Sequence, residues 1–327
     1  MIAERYFNLF VLAVLVAVPL WAVVTDEPFT ITLMTRAVIF GLAAVGLNIA
    51  LGYGGLVSFG HAVYFGIGGY AMGILAYHAQ TYTPVAEWPF VIEGTKFMPV
   101  IWLLAMVFSA LVAWIIGILS LRTTGVYFIM ITLAFGQMFY FFSIGWAEYG
   151  GEDGLSIYVR NDFPGLNTLV PIQFYGLCLV LLCLALWGAH RLAKSPFGLA
   201  LGAARQTPTR VETVGLNPTR VKLVAFVISG TITGLAGALF ADLNRFVSPT
   251  MFSWQLSGEI IVFLIIGGVG RLFGPVVGAL VFVALEHFLG GFSDYWHIYL
   301  GILLLMIVLF GRGGLIGMIC GREDTHG

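Results

Sequence analysis

Met98-Pro-Val-Ile-Trp-Leu-Leu-Ala-Met-Val-Phe-Ser-Ala-Leu-Val-Ala-Trp-Ile-Ile-Gly-Ile-Leu-Ser120 carries no charged side chain. An α-helix rises 1.5 Å per residue, so a run of ~20 residues crosses the ~30 Å hydrocarbon layer of a bilayer. In lipid an unpaired backbone amide costs several kcal/mol, and a lone segment satisfies its own amides only as a helix. Runs of the same kind recur on both sides, near residues 7–24, 30–51, 61–79, 125–145, 171–190, 222–241, 257–270, 273–290 and 297–311. Together they predict an all-α polytopic bundle of about ten spans. Long runs without alternation exclude a β-barrel.

The composition agrees. Of 327 residues, 60% are hydrophobic and 9% charged, against about 25% charged in a soluble domain. Spans on this scale leave no room for a sizeable soluble domain, so residues 1–327 read as one membrane domain. A net charge of −1 points to no nucleic-acid partner. Cys178, Cys183 and Cys320 lack CxxC spacing and read as apolar filler, with no disulfide framework or zinc site. The first run, Phe7–Val24, is long for a signal-peptide core and has no small-x-small cleavage pattern. It is expected as a retained helix.

Lysine and arginine orient the chain, because cytoplasmic loops are enriched in them. With the N-terminus inside, Arg5, Arg122, Arg191, Lys194, Arg205, Arg210, Arg220, Lys222, Arg271, Arg312 and Arg322 fall on the cytoplasmic side. Arg36, Lys96, Arg160 and Arg245 fall outside. Asp26, Glu27, Glu87, Glu93, Glu148, Glu152, Asp153, Asp162, Asp242 and Asp294 also lie outside, which places both termini in the cytoplasm. Arg36 sits several positions inside its apolar run. Either the membrane part starts near Arg36 or the side chain snorkels outward; the first is preferred, leaving Ala37–Leu51 as a short span.

One cytoplasmic connection, residues 191–222, is long and basic, with Arg191, Lys194, Arg205, Arg210, Arg220 and Lys222 against the single acid Glu212. Thr207-Pro208 reads as an N-cap followed by a first-turn proline, Thr209–Val214 as a short helix, and Gly215 as its stop. Asn217-Pro218 then turns the chain into the next span. A solvated loop obeying the positive-inside rule would explain the charge; the cap and stop signals point instead to a docking element.

At these residues the chain resembles a known family. Ser195-Pro-Phe-Gly198, Gly202-Ala-Ala-Arg205, the run from Glu212 to Gly230 and Gly234-Leu-Ala-Gly-Ala-Leu239 are similar to the permeases of branched-chain amino-acid ABC importers, in particular the M-type member of the permease pair. The likeness continues in Gly46–His61, Ser257-Gly-Glu259, Gly267–Pro275 and Leu309–Gly317. It implies a membrane subunit without ATPase chemistry, coupled to two cytoplasmic ATPase subunits through a short helix. By position that helix is Arg205–Gly215, with Arg205, Thr207, Arg210, Glu212 and Gly215 as the coupling residues. Glu212 and Gly215 fit the family pattern; Pro208, Arg210 and Val211 depart from it. The resemblance also implies a second homologous permease, an extracytoplasmic solute-binding protein and a bacterial inner membrane. Relatives with similar permeases serve urea, short amides and small carboxylates.

No cofactor is expected in this chain, ATP and Mg²⁺ belonging to the partners. A phosphate-binding loop needs G-x-x-x-x-G-K-[ST], and Gly188–Ser195 has Ala193 where the second glycine must be; Gly268–Phe273 fails G-x-G-x-x-G at its last position.

Gly-interrupted segments in corresponding halves point to a transport path. Gly52–Gly60 and Gly267–Gly274 form such a pair, and either could be re-entrant. Gly69xxxGly73, Gly230xxxGly234 and Gly274xxxGly278 supply small faces that let helices approach. Of the polar residues inside spans, Asn48, Ser58, His61, Gln137 and Glu259 are candidates to line the path. Glu286 and His287 are read as structural, and Glu259 and Glu286 as near enough to the outer ends of their spans to reach water. Tyr82–Phe97 and Trp146–Pro171, rich in aromatics and acids, fit interfacial belts or a docking surface for the binding protein. An ion-coupled carrier would need a mid-membrane relay of carboxylates and histidines, which the spans lack, and a mere scaffold would not need the capped basic segment.

Overall fold

The computed structural model describes residues 2–86, 92–158, 160–291, 296–310 and 313–320. Of the charged residues read above, Glu87, Asp294, Arg312 and Arg322 lie outside this set. The described chain is overwhelmingly helical: α1 (Ile2–Val24), α2 (Pro28–Asn48), α3 (His61–Thr81), α4 (Met98–Ser120), α5 (Val126–Gly145), α6 (Pro171–Lys194), α7 (Pro196–Gln206), α8 (Pro208–Thr213), α9 (Pro218–Asn244), α10 (Trp254–Gly267), α11 (Gly274–Gly290), α12 (Trp296–Phe310) and α13 (Gly314–Cys320). Proline opens many of them, at the first-turn positions where its missing N–H is no loss.

Every predicted apolar run coincides with a helix. Among the described residues, six helical stretches are long and apolar enough to cross a membrane: Tyr6–Val24, Pro28–Tyr53, α4, α5, α6 and α9, with α10 and α11 as shorter apolar helices. The chain is therefore a multi-pass helical membrane protein. Two small antiparallel pairs, β1 (Pro84–Ala86) with β2 (Ile92–Glu93) and β3 (Leu155–Ser156) with β4 (Phe246–Val247), tie the loops at one end.

The bundle centres on α2, α3, α4 and α9. Lipid tails are as apolar as leucine, so helices in a membrane associate through close packing. The α3–α9 seam shows the extreme case. A β-carbon at Gly68 would overlap the carbonyl oxygen of Gly234, and one at Gly237 would overlap the carbonyl oxygen of Phe65. Beside the seam, Phe40 stacks on Phe240 at 5.3 Å and meets Phe65 and Phe263 at 6.3 and 5.5 Å. Such pairs add about 0.5–1.5 kcal/mol each beyond area burial. α1 and α5 are peripheral, with 22% of their apolar windows buried against 72% for the α2 stretch.

Small faces at Gly230/Gly234 and Gly274/Gly278 do join helices, α9 to α4 and α11 to α10. The Gly69/Gly73 face meets α9 only at the Gly237 carbonyl, 3.5 Å from a β-carbon at Gly69. With Gly66 it forms a trough on α3 that receives Phe252, Met251 and Val247 from the segment after α9. A 3-10 turn, Pro249–Phe252, carries that segment back along α3. The side chain of Ser257 then accepts from the Ala62 amide at 2.9 Å.

α2 is one helix through Arg36, whose guanidinium meets Glu286 on α11 at 2.9 Å. The structural reading of Glu286 fits this ion pair. One expectation needs correction: the basic connection holds more structure than the short helix foreseen. α7 precedes α8, starting at Ser195, whose hydroxyl accepts from the Gly198 amide, so Arg205 belongs to the last turn of α7 and not to the short helix itself.

Candidate functional site: a hub of two glycine loops

Both glycine-rich loops and the basic connection of residues 191–222 meet at one place. α2 ends at Asn48, and a π-helical turn, Ile49–Tyr53, widens the chain there, with Gly54 donating to the Ile49 carbonyl at 3.2 Å. The Asn48 carboxamide is 3% exposed and uses both its ends on the α10–α11 loop. Its Nδ2 donates to the Arg271 carbonyl at 2.9 Å, and its Oδ1 accepts from the Gly270 amide at 2.9 Å. Gly52 lies so close that a β-carbon would overlap Asn48 Oδ1 and sit 2.8 Å from the Gly270 nitrogen.

The third strand of the hub is α7. Arg205 donates from its guanidinium to the Gly52 carbonyl, and its stem covers Gly55, where a β-carbon would stand 2.9 Å from Arg205 Cγ. Buried Leu201, one turn earlier, reaches Gly54. The start of α13 joins from the other side, its Gly314 packed against the backbone of Gly267 and Gly268. One carboxamide, one guanidinium and a set of glycines therefore fix four parts of the chain to one another.

α8 hangs beneath the hub. Val211 is buried and packs it toward α9, while Arg210, Glu212 and Val214 are exposed, Val214 by 78%. Thr207 occupies the N-cap position, though its side chain makes no capping bond. The C-terminus closes as a Schellman motif. Gly215, at φ +84°, donates to Glu212 at 2.9 Å and Leu216 donates to Val211 at 3.2 Å.

The other predicted path residues are scattered. His61, fully buried, lies 2.7 Å by Nε2 from Ser229 Oγ, and Ser229 donates its only proton to the Gly46 carbonyl at 2.6 Å. His61 is therefore the donor through Nε2, and the relay binds α3, α9 and α2. Ser58 is buried in the preceding connector and accepts from the Gly60 amide. Gln137 is half-buried on α5. Glu259, half-buried on α10, lies in the field of Glu286 and Arg36. The structure thus brings Asn48 and Arg205 into one hub and leaves Ser58, His61, Gln137 and Glu259 apart from it.

At the opposite end, a polar cluster gave no sequence signal. Asp242, on the last turn of α9, is 3% exposed and accepts from Asn161 Nδ2 at 3.1 Å. Arg160 lies 4.4 Å from the Phe174 ring centroid. Burial lowers the Arg160 pKa from the usual arginine value, and the negative field of Asp242 opposes that shift. Its members come from a loop and a helix end distant in sequence, so only folding unites them. The neighbouring acids Glu148, Glu152 and Asp153 are exposed.

A long bundle of apolar helices, with the structured basic connection of residues 191–222 clamped to one of its glycine loops, defines the chain as a multi-pass membrane permease. It belongs to the family of branched-chain amino acid transport system permease components, whose model matches residues 29–310. It is 27% identical to the high-affinity branched-chain amino acid transport system permease protein LivM of Salmonella typhimurium and 28% identical to that of Escherichia coli K12, in each case over 95% of this chain and 75% of the relative. A more distant likeness, 29% over 46% of this chain and 52% of the relative, links it to the ribose import permease RbsC of Bacillus subtilis. No solved structure matches the chain.

Proposed function

We propose that this permease forms the translocation path for branched-chain amino acids in an ATP-driven importer of a bacterial inner membrane. In this reading all ten apolar helices cross the bilayer, with both termini inside, and the chain pairs with a second homologous permease. Two cytoplasmic ATPase subunits dock on residues 191–222, and a solute-binding protein delivers cargo from the other side. The supporting observation is the Arg205–Gly52 contact, which gives a partner pressing on α7 and α8 a direct handle on the first glycine loop and, through Asn48, a link to the second. Coupling falls to Arg205, Thr207, Arg210, Glu212 and Gly215 in two roles: Arg205 transmits through the hub, and the exposed face of α8 makes the contact. Asn48 holds the hub in register, while Ser58, His61, Gln137 and Glu259 contribute as weakly polar walls or ties. The exposed acids Glu148, Glu152 and Asp153 suit a basic face of the binding protein.

The test is co-expression with the partner genes, purification in mild detergent and reconstitution into vesicles. Co-purification of the ATPase subunits and ATP-dependent uptake of leucine, isoleucine or valine are expected. Uptake driven by a proton gradient without ATP, from a preparation free of ATPase subunits, would overturn the reading. Replacing Glu148, Glu152 and Asp153 by lysine should abolish stimulation of ATP hydrolysis by loaded binding protein; undiminished stimulation removes that surface from the proposal.

A further inference from the structure

A groove of about 260 Å³ lies between α1, α6 and the α10–α11 loop, lined among others by Leu12, Cys183, Trp187, His190, Leu272 and Phe273. Its long wall is a single face of α6. Cys183, Trp187, His190 and Lys194 follow one another at helical spacing and are all exposed, so the wall changes along about 16 Å from thiol and indole to imidazole and ammonium. Arg191 folds back over the Trp187 ring, 5.5 Å from its centroid, and brings a second full positive charge to the same end.

Apolar depth with a cationic mouth matches one class of ligand. We infer that this groove holds an anionic phospholipid, with an acyl chain along Leu12, Cys183 and Trp187 and the phosphate among His190, Arg191 and Lys194. Basic pockets between membrane helices on the cytoplasmic side bind such headgroups, and this end of α6 opens the segment assigned above to the cytoplasm. A zwitterionic lipid would fill the apolar part equally but leave the cationic mouth uncompensated by net charge. Leu272 and Phe273 directly follow Arg271, the carbonyl partner of Asn48, so the bound lipid props the hub loop from the membrane side.

The inference is tested with the full chain in bilayer nanodiscs of equal phosphatidylglycerol and phosphatidylcholine, one lipid at a time carrying a diazirine on its acyl chain. Photolabelled peptides are then mapped by mass spectrometry. The glycerol lipid should label residues 183–194 and the Leu12 region at least fivefold more than the choline lipid. Arg191→Gln with Lys194→Gln should reduce that labelling to the choline level. Cys183→Trp, which fills the groove from an exposed position, should abolish labelling by both. Equal labelling by the two lipids, or labelling unchanged by the glutamine pair, overturns the inference. So does displacement of the label by inorganic phosphate alone, which would make the mouth a site for free anions. None of these readouts depends on ATP or cargo, so failure of the transport reading would show separately, as absent uptake by the unmodified importer.

Discussion

The guanidinium of Arg205 donates to the backbone carbonyl of Gly52, while the methylenes of the same side chain lie over Gly55. A residue at the end of α7 thus grips the turn where α2 leaves its helical path. From this pair the behaviour of variants follows.

Arg205→Ala removes a charge-assisted bond, a contact class worth about 1.5–3 kcal/mol, so cargo-stimulated ATP hydrolysis by the reconstituted importer should fall about tenfold or more. The ATPase subunits should still co-purify. Arg205→Lys keeps the charge but loses the planar fork, and intermediate activity is expected. Loss of the subunits themselves would assign Arg205 to the docking face instead.

Asn48→Ala removes two part-buried hydrogen bonds, one from the Gly270 amide and one to the Arg271 carbonyl. Each such bond contributes about 0.5–1.5 kcal/mol, so the apparent Tm in detergent should drop by a few degrees. Asn48→Asp can accept but not donate when ionised, and should also destabilise. A thermal-shift assay in which both variants match the parent would remove Asn48 from the hub.

Gly68→Ala and Gly188→Ala form a contrasting pair. The first drives a methyl into the Gly234 carbonyl, whereas nothing lies within 4 Å of a β-carbon at Gly188. Overpacking costs about 1–3 kcal/mol or more, while Ala for Gly in an open helix gains about 1 kcal/mol. Folded yield by fluorescence-detected size exclusion should therefore fall for the first and hold or rise for the second.

Arg36→Glu and Glu286→Arg each place two like charges together within the bundle, and the double exchange restores an opposite pair. Either single change should lower folded yield, and the combination should recover much of it. Additive losses in the double variant would show that the 2.9 Å contact is not what holds the two charges.

Val214→Asp changes an exposed apolar residue at the C-cap of α8, two positions after Glu212. Monomer Tm should stay within about 1 °C, since surface changes fall within about 0.5 kcal/mol, but retention of the ATPase subunits in a pull-down should fall severalfold. Undiminished retention would move the docking surface away from α8.

The sequence made the apolar helices legible because lipid admits few alternatives to a helix. Ser195-Pro196 carries the same cap-and-proline signal that marks α8, and Phe197, Leu201 and Ala204 recur at helical spacing on one face of α7, but two glycines interrupt this short run and hide it among loop residues. Arg36 looked misplaced because its partner, Glu286, lies 250 positions away, and no local pattern reports such a distance. Glycine richness marked both loops as special, but not that one asparagine joins them. Arg205 is legible as one of the basic residues of the 191–222 connection, while its contact with Gly52 depends on a π-helical turn that the sequence does not announce.

The trough on α3 bears on how the protein is made. Gly66, Gly69 and Gly73 receive Phe252, Met251 and Val247, which the ribosome adds some 170 to 190 residues later. At about 5–20 residues per second, α3 exists for roughly 10–40 s before its filling segment is synthesised. Throughout that interval a helix with an open glycine furrow must be sheltered by its earlier neighbours or by the insertion machinery. Synonymous codons between Thr81 and Val247 would set how long the nascent chain waits in that state.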